Sequence, residues 1–271
     1  MELRINNKCN NNCLFCPEII TQSTISKETA EQVLSKGMTD DRTLIIKGGE
    51  PTIDKSFFYI IRTAKIIGYD KIILKTNGRM LRYSDLCKDL KDSGLTDIVC
   101  SLHGSNQDIH DFLTSCQGSF KDSCIGILNA LKCGLNVSIR TAITKANQFD
   151  LPNIMKLICS LGVLNNCFYV MKMKLKEKSN ARWLSAKYSV AEPFLKRAID
   201  IAKQKKINCT VEDLPFCFLK GHEDLVKFSI SEGKSKCDKC SNCRYVNLCD
   251  GPFDEYTHIF GWEEFLPYID K

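Results

Sequence analysis

Short apolar segments alternate with amphipathic segments along most of this 271-residue chain, and this alternation limits the fold more than any other feature. Runs such as TLIIK at 43–47 and KIILKT at 71–76 have the length and the β-branched composition of buried strands. The segments between them repeat apolar residues every third or fourth position, as a helix that buries one face does. Strands that alternate with helices form a parallel sheet with right-handed crossovers.

The alternation therefore predicts an α/β fold, a partial (β/α)6 barrel of parallel strands. The predicted strands cover residues 3–6, 43–47, 71–76, 97–102, 136–143 and 167–175. The predicted helices cover residues 27–36, 54–67, 81–92, 120–133, 151–161 and 190–205, and Ser26 is the expected N-cap of the first. Because a closed barrel of this kind has eight units, we expect six units to leave one side open.

Small and polar residues follow three of the predicted strands, in the sequences GGEP (48–51), TNG (76–78) and SLHG (101–104). In parallel α/β folds the functional site lies at the carboxyl ends of the strands. We therefore expect these three segments to line one edge of the sheet, where substrate has access.

The last part of the chain loses the alternation and is rich in turns and cysteine. The sequence predicts two domains, a core over 1–207 and a small cysteine-rich extension over 208–271. A segment this short and irregular needs a bound metal to become ordered.

Charge and hydropathy exclude several classes of protein. The net charge of +6 comes from basic residues spread along the chain, which does not support nucleic-acid binding. No apolar run reaches the roughly 18–20 residues of a membrane span, and the N-terminus lacks the pattern of a signal peptide. We expect a cytoplasmic protein, in which the 16 cysteines stay reduced or bind metal.

Three cysteines, Cys9, Cys13 and Cys16, lie in one short loop after the first strand. Three thiolates suit a soft metal or a cluster. Structural zinc normally requires a fourth ligand, and no other Cys or His lies nearby in sequence. A [4Fe–4S] cluster held by three thiolates would keep one iron open for another ligand.

The loop CNNNCLFC, with Phe15 just before the third cysteine, resembles the CxxxCxxC motif of the radical S-adenosylmethionine (radical SAM) superfamily. GGEP at 48–51 matches a second motif of that superfamily, in the expected order. The resemblance covers about residues 1–200. It implies a [4Fe–4S] cluster on Cys9, Cys13 and Cys16, S-adenosylmethionine as a cofactor, and a 5′-deoxyadenosyl radical that abstracts a substrate hydrogen atom. It also implies a low-potential electron donor such as flavodoxin or ferredoxin.

The resemblance implies further contacts to the cofactor and assigns no catalytic residue. It places Phe15 against the adenine, Gly48 and Gly49 at the methionyl part, and Asn77 and Ser101 near the ribose or the carboxylate. Glu50 and Pro51 complete the GGEP motif, in which the glutamate more often anchors the turn. Arg140 on the fifth strand is a candidate partner for the cofactor carboxylate. For Asn77 the alternative is a turn-forming role, and for Arg140 it is a surface charge. His103 would either face the substrate or have a purely structural role.

A second group of cysteines lies in the extension: Cys237, Cys240, Cys243 and Cys249, with Cys217 upstream. Four thiolates would suit either structural zinc or an iron–sulfur cluster. The spacing of Cys240, Cys243 and Cys249 is similar to the first half of the SPASM signature of radical SAM enzymes, but the next cysteine of that signature is missing. The resemblance therefore implies a shortened, twitch-like extension with one auxiliary [4Fe–4S] cluster. For its ligands we favour Cys217, Cys240, Cys243 and Cys249, with Cys237 as the doubtful fifth.

A narrower resemblance concerns the His-Xaa-Ser system peptide maturases. It depends on SLHG at 101–104, Asn147, Ser229, Lys234 and the GPF that follows the last cysteines. It favours a radical SAM enzyme that cross-links or epimerises a ribosomally made peptide. The alternatives are a radical SAM dehydrogenase or epimerase of a sugar, nucleoside or amino acid, and a non-catalytic iron–sulfur electron-transfer protein. Cys116 and Cys167 are candidates for a hydrogen donor, which an epimerase would need.

Overall fold

The computed structural model describes residues 1–16, 25–172, 182–230 and 232–269. Its strands form one open parallel sheet in chain order, so the predicted α/β class and the open parallel sheet are confirmed. The strands are β1 (Glu2–Arg4), β2 (Thr43–Lys47), β3 (Lys71–Thr76), β4 (Asp97–Ser101), β5 (Asn136–Ile143), β6 (Asn165–Val170), β7 (Asn208–Glu212) and β8 (Val226–Lys227). Over the described residues the sheet thus has eight strands, where the sequence predicted six.

Helices connect most of the strands. They are α1 (Lys27–Lys36), α2 (Phe57–Ile67), α3 (Ser84–Asp92), α4 (Gln107–Thr114), α5 (Ser119–Lys132), α6 (Leu151–Ser160), α7 (Tyr188–Gln204) and α8 (Asp254–Phe260). None of the described helices is long and apolar enough to cross a membrane.

The described residues divide into two compact units. The first contains residues 1–12, 25–102 and 106–139, with β1–β4 and the beginning of β5. The second contains residues 13–16, 103–105, 140–172, 182–230 and 232–269, with the rest of β5 and the last three strands. The cysteine loop at 9–16 is therefore shared, because Cys9 belongs to the first unit and Cys13 and Cys16 to the second.

Each strand has one buried face and one half-exposed face. In β2, Leu44 and Ile46 are fully buried, whereas Ile45 and Lys47 between them are only partly covered. The same alternation holds in β6, where Phe168 is buried and Tyr169 is half-buried. Because side chains alternate along a strand, the half-exposed residues of neighbouring strands share one face. That face carries most of the polar side chains of the sheet.

The additional strands lie in the region assigned to the extension. β7 pairs with β6, and β8 pairs with β7. Both are short, and the cysteine-rich, turn-rich composition around them hides their pattern in the sequence. The sheet thus continues past residue 207, while the extension as a separate cluster-binding domain stays a prediction. The predicted sixth strand ends early, at Val170, and residues 173–175 lie outside the described residues.

Candidate functional site

The residues that lead into the cysteine loop, 6–8, lie directly on the GGEP segment. The backbone N–H of Glu50 donates to the carbonyl of Lys8 at 2.7 Å, and that of Gly49 donates to the carbonyl of Asn6 at 3.0 Å. A Cβ atom at Gly49 would lie 2.3 Å from the Lys8 carbonyl oxygen, and one at Gly48 would lie 2.7 Å from that of Asn6. No side chain fits at those distances, so the two glycines let the segment just before Cys9 cross the end of β2.

Glu50 is fully buried and connects the end of β2 to the end of β3. One carboxylate oxygen accepts hydrogen bonds from the Thr52 N–H (3.1 Å), the Thr52 hydroxyl (2.6 Å) and the Thr76 hydroxyl (2.8 Å). The other oxygen accepts the backbone N–H of Asn77 at 2.8 Å. Burial raises the pKa of Glu50 although these hydrogen bonds oppose the shift. The described hydrogen bonds of the Glu50 carboxylate are thus all to other residues of this protein.

Asn77 lies beside the first cysteine. Its side-chain N–H donates to the Asn10 side-chain oxygen at 2.6 Å and toward the Cys9 sulfur at 3.8 Å. Its own side-chain oxygen accepts the backbone N–H of Arg79 at 3.0 Å. The structure therefore brings two predicted site residues, Asn77 and Cys9, into contact within the first unit.

Arg79 is a residue of this site that the sequence analysis missed. Its guanidinium donates to the Asn10 carbonyl and, at 3.2 Å, to the Asn11 side-chain oxygen. Asp122 on α5 holds the same guanidinium at 3.3 Å and also pairs with Arg82. The signal in the sequence was weak, because the interpretation of TNG as a turn ended at Gly78.

In the second unit, Phe15 packs on His103. The two ring centroids are 4.6 Å apart in an edge-to-face arrangement, and both side chains are buried. The His103 ring accepts the backbone N–H of Ala142 at 3.2 Å through Nδ1. Asn147 is fully buried and donates to the carbonyls of His103 and Ala142, both at 2.8 Å. These contacts hold His103, which follows β4, against the end of β5.

Arg140 pairs with Glu212 of β7 rather than projecting freely from β5. Its guanidinium also lies 4.3 Å from the ring centroid of Tyr169 on β6. The Arg140 Nε atom is buried and has no hydrogen-bond partner among the described residues. Beside this group, burial and the charge of Glu212 raise the pKa of Cys167 to about 12, so its thiol stays protonated. The contact of Arg140 to a cofactor carboxylate stays a prediction.

Two other predicted residues occupy strand ends. Ser101 is the last residue of β4 and is half-buried. Pro51 is buried and begins a single 3-10 turn, Pro51–Ile53, directly after Glu50. Both positions agree with the expected edge of the sheet, and neither residue has a described contact that assigns it a function.

The cysteines of the second group lie near one another in the second unit. Burial raises the pKa of Cys217 to about 12, and the charges of Cys249, Cys240 and Cys243 add to this shift, so the four thiols lie within range of one another's charges. Cys237 lies 3.8 Å from Cys240, sulfur to sulfur. In the part of the chain that the structure describes, no three cysteine, histidine or acidic side chains are gathered closely enough to hold a single metal ion.

Lys234 is a second residue whose contacts the sequence analysis did not predict. Its side chain is only 4% exposed, and its ammonium donates to Asp213 at 2.6 Å and to Asp250 at 3.2 Å. The rings of Phe228 and Phe253 each lie 5.3 Å from the same nitrogen. Since Asp250 follows Cys249 directly, this buried cation fixes the end of the second cysteine segment against the end of β7.

Charged residues occupy the half-exposed face of β1–β3. Glu2 pairs with Lys47 of β2 and, at 2.7 Å, with Lys75 of β3. Burial opposes ionisation of Glu2, but the hydrogen bonds and charges of the two lysines lower its pKa to about 2. Two cations thus share one carboxylate on this face.

The family model of the radical SAM superfamily matches residues 3–158, which is more than half of the chain. The fold and the site therefore define an α/β enzyme, and the chain belongs to the radical SAM superfamily. Membership implies a [4Fe–4S] cluster and S-adenosylmethionine. The soft thiol donors of the loop fit that cluster, since Cys9 is exposed, Cys13 and Cys16 are partly exposed, and N–H groups point toward the Cys9 sulfur.

Several curated relatives are described as probable GTP 3′,8-cyclases. One from Sulfurisphaera tokodaii is 31% identical over 169 residues, which is 60% of this chain and 53% of the relative. One from Methanocella arvoryzae is 30% identical over 139 residues, which is 50% of this chain and 44% of the relative. The chain spans about half the length of the curated relatives it matches.

Solved structures at lower identity share the fold. Native anSMEcpe with bound AdoMet and Cp18Cys peptide has a TM-score of 0.67 at 14% identity, over 97% of this chain and 95% of that one. Streptococcus suis SuiB bound to precursor peptide SuiA has a TM-score of 0.65 at 12% identity, over 78% of this chain and 48% of that one. The FeFe-hydrogenase maturase HydG from Carboxydothermus hydrogenoformans has a TM-score of 0.63 at 12% identity, over 86% and 58%.

Proposed function

We propose that this protein cleaves S-adenosylmethionine reductively on a [4Fe–4S] cluster ligated by Cys9, Cys13 and Cys16, and abstracts a hydrogen atom from a substrate. The observation that carries the proposal is the contact of residues 6–8, directly before Cys9, with GGEP, where Gly48 and Gly49 leave room only for backbone. Asn77 continues this contact, because its backbone N–H donates to Glu50 of GGEP and its side chain donates toward the Cys9 sulfur.

A cluster held by Cys9, Cys13 and Cys16 would supply the one-electron reduction that homolytic cleavage of S-adenosylmethionine requires, and the cleaved cofactor would supply the abstraction of the substrate hydrogen atom. The residues of the chain hold and orient the reactants. The Glu50 anchor connects the ends of β2 and β3. Phe15, whose ring packs on His103, is our candidate for the adenine contact. Ser101, the Asn77 side-chain oxygen and Arg140 are our candidates for the ribose and carboxylate groups.

We further propose an auxiliary [4Fe–4S] cluster on Cys217, Cys240, Cys243 and Cys249, with Cys237 outside the ligand set. These four thiols lie within range of one another's charges, and the resemblance to the SPASM signature favours a cluster over zinc. Cys237, whose sulfur lies 3.8 Å from that of Cys240, is the alternative ligand. The cluster would carry the electron released by the substrate.

For the substrate we propose a peptide, which would be cross-linked or epimerised. The support is the likeness of fold over nearly the whole chain to a peptide-bound enzyme and the short sequence similarities to peptide maturases. The low-potential electron donor would be a flavodoxin or a ferredoxin.

A nucleotide or another small anionic molecule is the second candidate. The sequence similarity to probable GTP 3′,8-cyclases favours it. So does the half-exposed face of β1–β3, where Lys47 and Lys75 share the single carboxylate of Glu2. A phosphate group would complete the neutralisation of that face.

The activity is tested by anaerobic reconstitution with iron and sulfide, reduction with dithionite and addition of S-adenosylmethionine. We expect 5′-deoxyadenosine by mass spectrometry from the parent protein and none from the Cys9→Ala/Cys13→Ala/Cys16→Ala variant. A parent protein that binds iron but forms no 5′-deoxyadenosine would instead be an electron carrier.

The two substrate classes are separated by their effect on that reaction. A peptide encoded beside this protein should increase 5′-deoxyadenosine formation and change mass, whereas GTP should do neither. If GTP stimulates the reaction and Lys47→Met/Lys75→Met abolishes the stimulation, the nucleotide candidate replaces the peptide.

A further inference from the structure

Two N–H groups point at the sulfur of Cys9. The backbone N–H of Asn11 lies 3.4 Å from that sulfur, and the side-chain nitrogen of Asn77 lies 3.8 Å from it. Cys9 itself is exposed. A sulfur that receives N–H hydrogen bonds carries less negative charge toward the metal it binds.

Hydrogen bonds hold both the side-chain amide and the backbone of Asn77. Its side-chain nitrogen also donates to the Asn10 side-chain oxygen at 2.6 Å, and its side-chain oxygen accepts the Arg79 backbone N–H at 3.0 Å. Its backbone N–H is held by the buried Glu50 carboxylate at 2.8 Å. The amide therefore cannot flip without losing hydrogen bonds, and its N–H side faces the cysteine loop.

The loop itself is fixed from the other side. The Arg79 guanidinium holds the Asn10 carbonyl and the Asn11 side-chain oxygen. The Cys116 thiol lies 3.6 Å from the same Asn10 carbonyl. The backbone N–H of Asn12 donates to the Thr114 carbonyl at 3.0 Å, so residues 10, 11 and 12 are each tied to another segment.

We propose that Asn77 is a positioning residue: it donates a hydrogen bond to the Cys9 sulfur and thereby raises the reduction potential of the cluster that Cys9 would bind. Arg79 holds the loop so that Cys9 stays beside Asn77. The proposal rests on the proposed function, in which Cys9 is a cluster ligand. One-electron reduction makes a cluster more negative. An N–H donor at a ligand sulfur stabilises the reduced state more than the oxidised state. The nearby guanidinium charge acts in the same direction.

The test is the midpoint potential of the reconstituted full-length protein, followed by EPR during a redox titration, with and without S-adenosylmethionine. The signal that changes on addition of S-adenosylmethionine reports the cluster with the open iron. Asn77→Leu removes the donor and should shift the midpoint to a more negative potential with the iron content unchanged. Asn77→Asp keeps the acceptor for the Arg79 N–H but replaces the donor with a negative charge, so its shift should be larger.

Arg79→Leu should shift the midpoint in the same direction, and Arg79→Lys should restore part of the shift. The matched control is Arg82→Leu, because Arg82 pairs with the same Asp122 and has no described contact with the cysteine loop. Arg82→Leu should leave the midpoint at the parent value. Thermal unfolding followed by circular dichroism checks that the variants fold.

A parent-like midpoint in Asn77→Leu, or an equal shift in Arg82→Leu, would overturn the proposal. If the Asn77→Leu variant binds no cluster, the midpoint potential of the Asn77→Asp variant decides the proposal, and a parent-like value there would overturn it. A parent protein that loses no iron when Cys9, Cys13 and Cys16 are replaced would overturn the proposed function itself, which is a different result.

Discussion

The two cysteine segments are held in place by different kinds of contact. Hydrogen bonds hold the backbone of the first loop at Asn10 and Asn12, and the residues just before it are held on the GGEP turn at Asn6 and Lys8. The second segment, over 237–249, has mostly exposed or half-exposed residues and one short 3-10 turn, Asp238–Asn242. The sheet and its connections therefore position the first segment, whereas the second depends on contacts at its ends.

Those end contacts are a buried cation and aromatic rings. Lys234 holds Asp213 and Asp250, and the ring of Tyr245 lies 5.0 Å from that of Phe216 and 4.9 Å from that of Tyr268. The comparison teaches that a loop on a rigid sheet can be ordered by the protein alone. A short segment beyond the sheet needs a strong local interaction or a bound metal.

The largest expected effect separates the two segments by function. Replacing Cys9, Cys13 and Cys16 with alanine should remove about four iron atoms and reduce S-adenosylmethionine cleavage to background. Replacing Cys240, Cys243 and Cys249 should also remove about four iron atoms but leave uncoupled cleavage measurable. Iron analysis and 5′-deoxyadenosine yield check both. Equal loss of cleavage in the two variants would show that the segments do not act independently.

The next effect tests the buried cation of the second segment. Lys234→Met leaves the carboxylate of Asp213 buried without its partner, and breaking a buried pair in this way costs roughly 3–5 kcal/mol. Denaturant unfolding under anaerobic conditions measures the free energy. Lys239→Met, at an exposed position of the same segment, is the control and should change stability little. If the two variants are equally stable, Lys234 does not hold the segment.

A smaller effect is expected at the anchor of the first segment. In Glu50→Gln the amide group replaces one acceptor oxygen, so either the Asn77 N–H or the group around Thr52 and Thr76 loses its acceptor. An unpaired buried donor costs about 1–3 kcal/mol. Denaturant unfolding again measures the change, with the exposed Glu232→Gln as control. A parent-like stability would mean that the GGEP turn does not need the carboxylate.

The smallest effect is a pH dependence near the first segment. The pKa of Glu2 is lowered to about 2 in the folded protein, whereas an unfolded glutamate has a pKa of about 4.3. Its contribution to stability is therefore present above about pH 4.3 and is lost as the pH falls toward 2. Because the pair is partly exposed, the contribution should stay below about 1 kcal/mol.

The check compares the parent with Glu2→Gln by denaturant unfolding at several pH values. The parent should be more stable at pH 6, and the difference should vanish as Glu2 is protonated. A difference that persists unchanged in acid would show that the two lysines do not stabilise the ionised form.

Local patterns were sufficient for much of the sheet and its helices. β2, β3, β5 and α1 have the predicted bounds, because β-branched runs and the Ser26 cap, which accepts the Thr29 N–H, are features of neighbouring residues. α4 was not predicted because its eight residues are few for a helix and carry many polar side chains. β7 and β8 were not predicted because two to five residues among turns are too few to show the alternation of apolar and polar residues that indicates a strand.

The sequence by itself determined the α/β class, the positions of both cysteine groups and the motifs that identify the superfamily, since each depends on residues close together in the chain. Only the tertiary structure decided that Arg79 holds Asn10, 69 positions away, and that Lys234 pairs with Asp213. Such pairs depend on which strand ends lie side by side, and no local periodicity records that. The residues that hold the cysteines in place were therefore visible only after the strands were brought together.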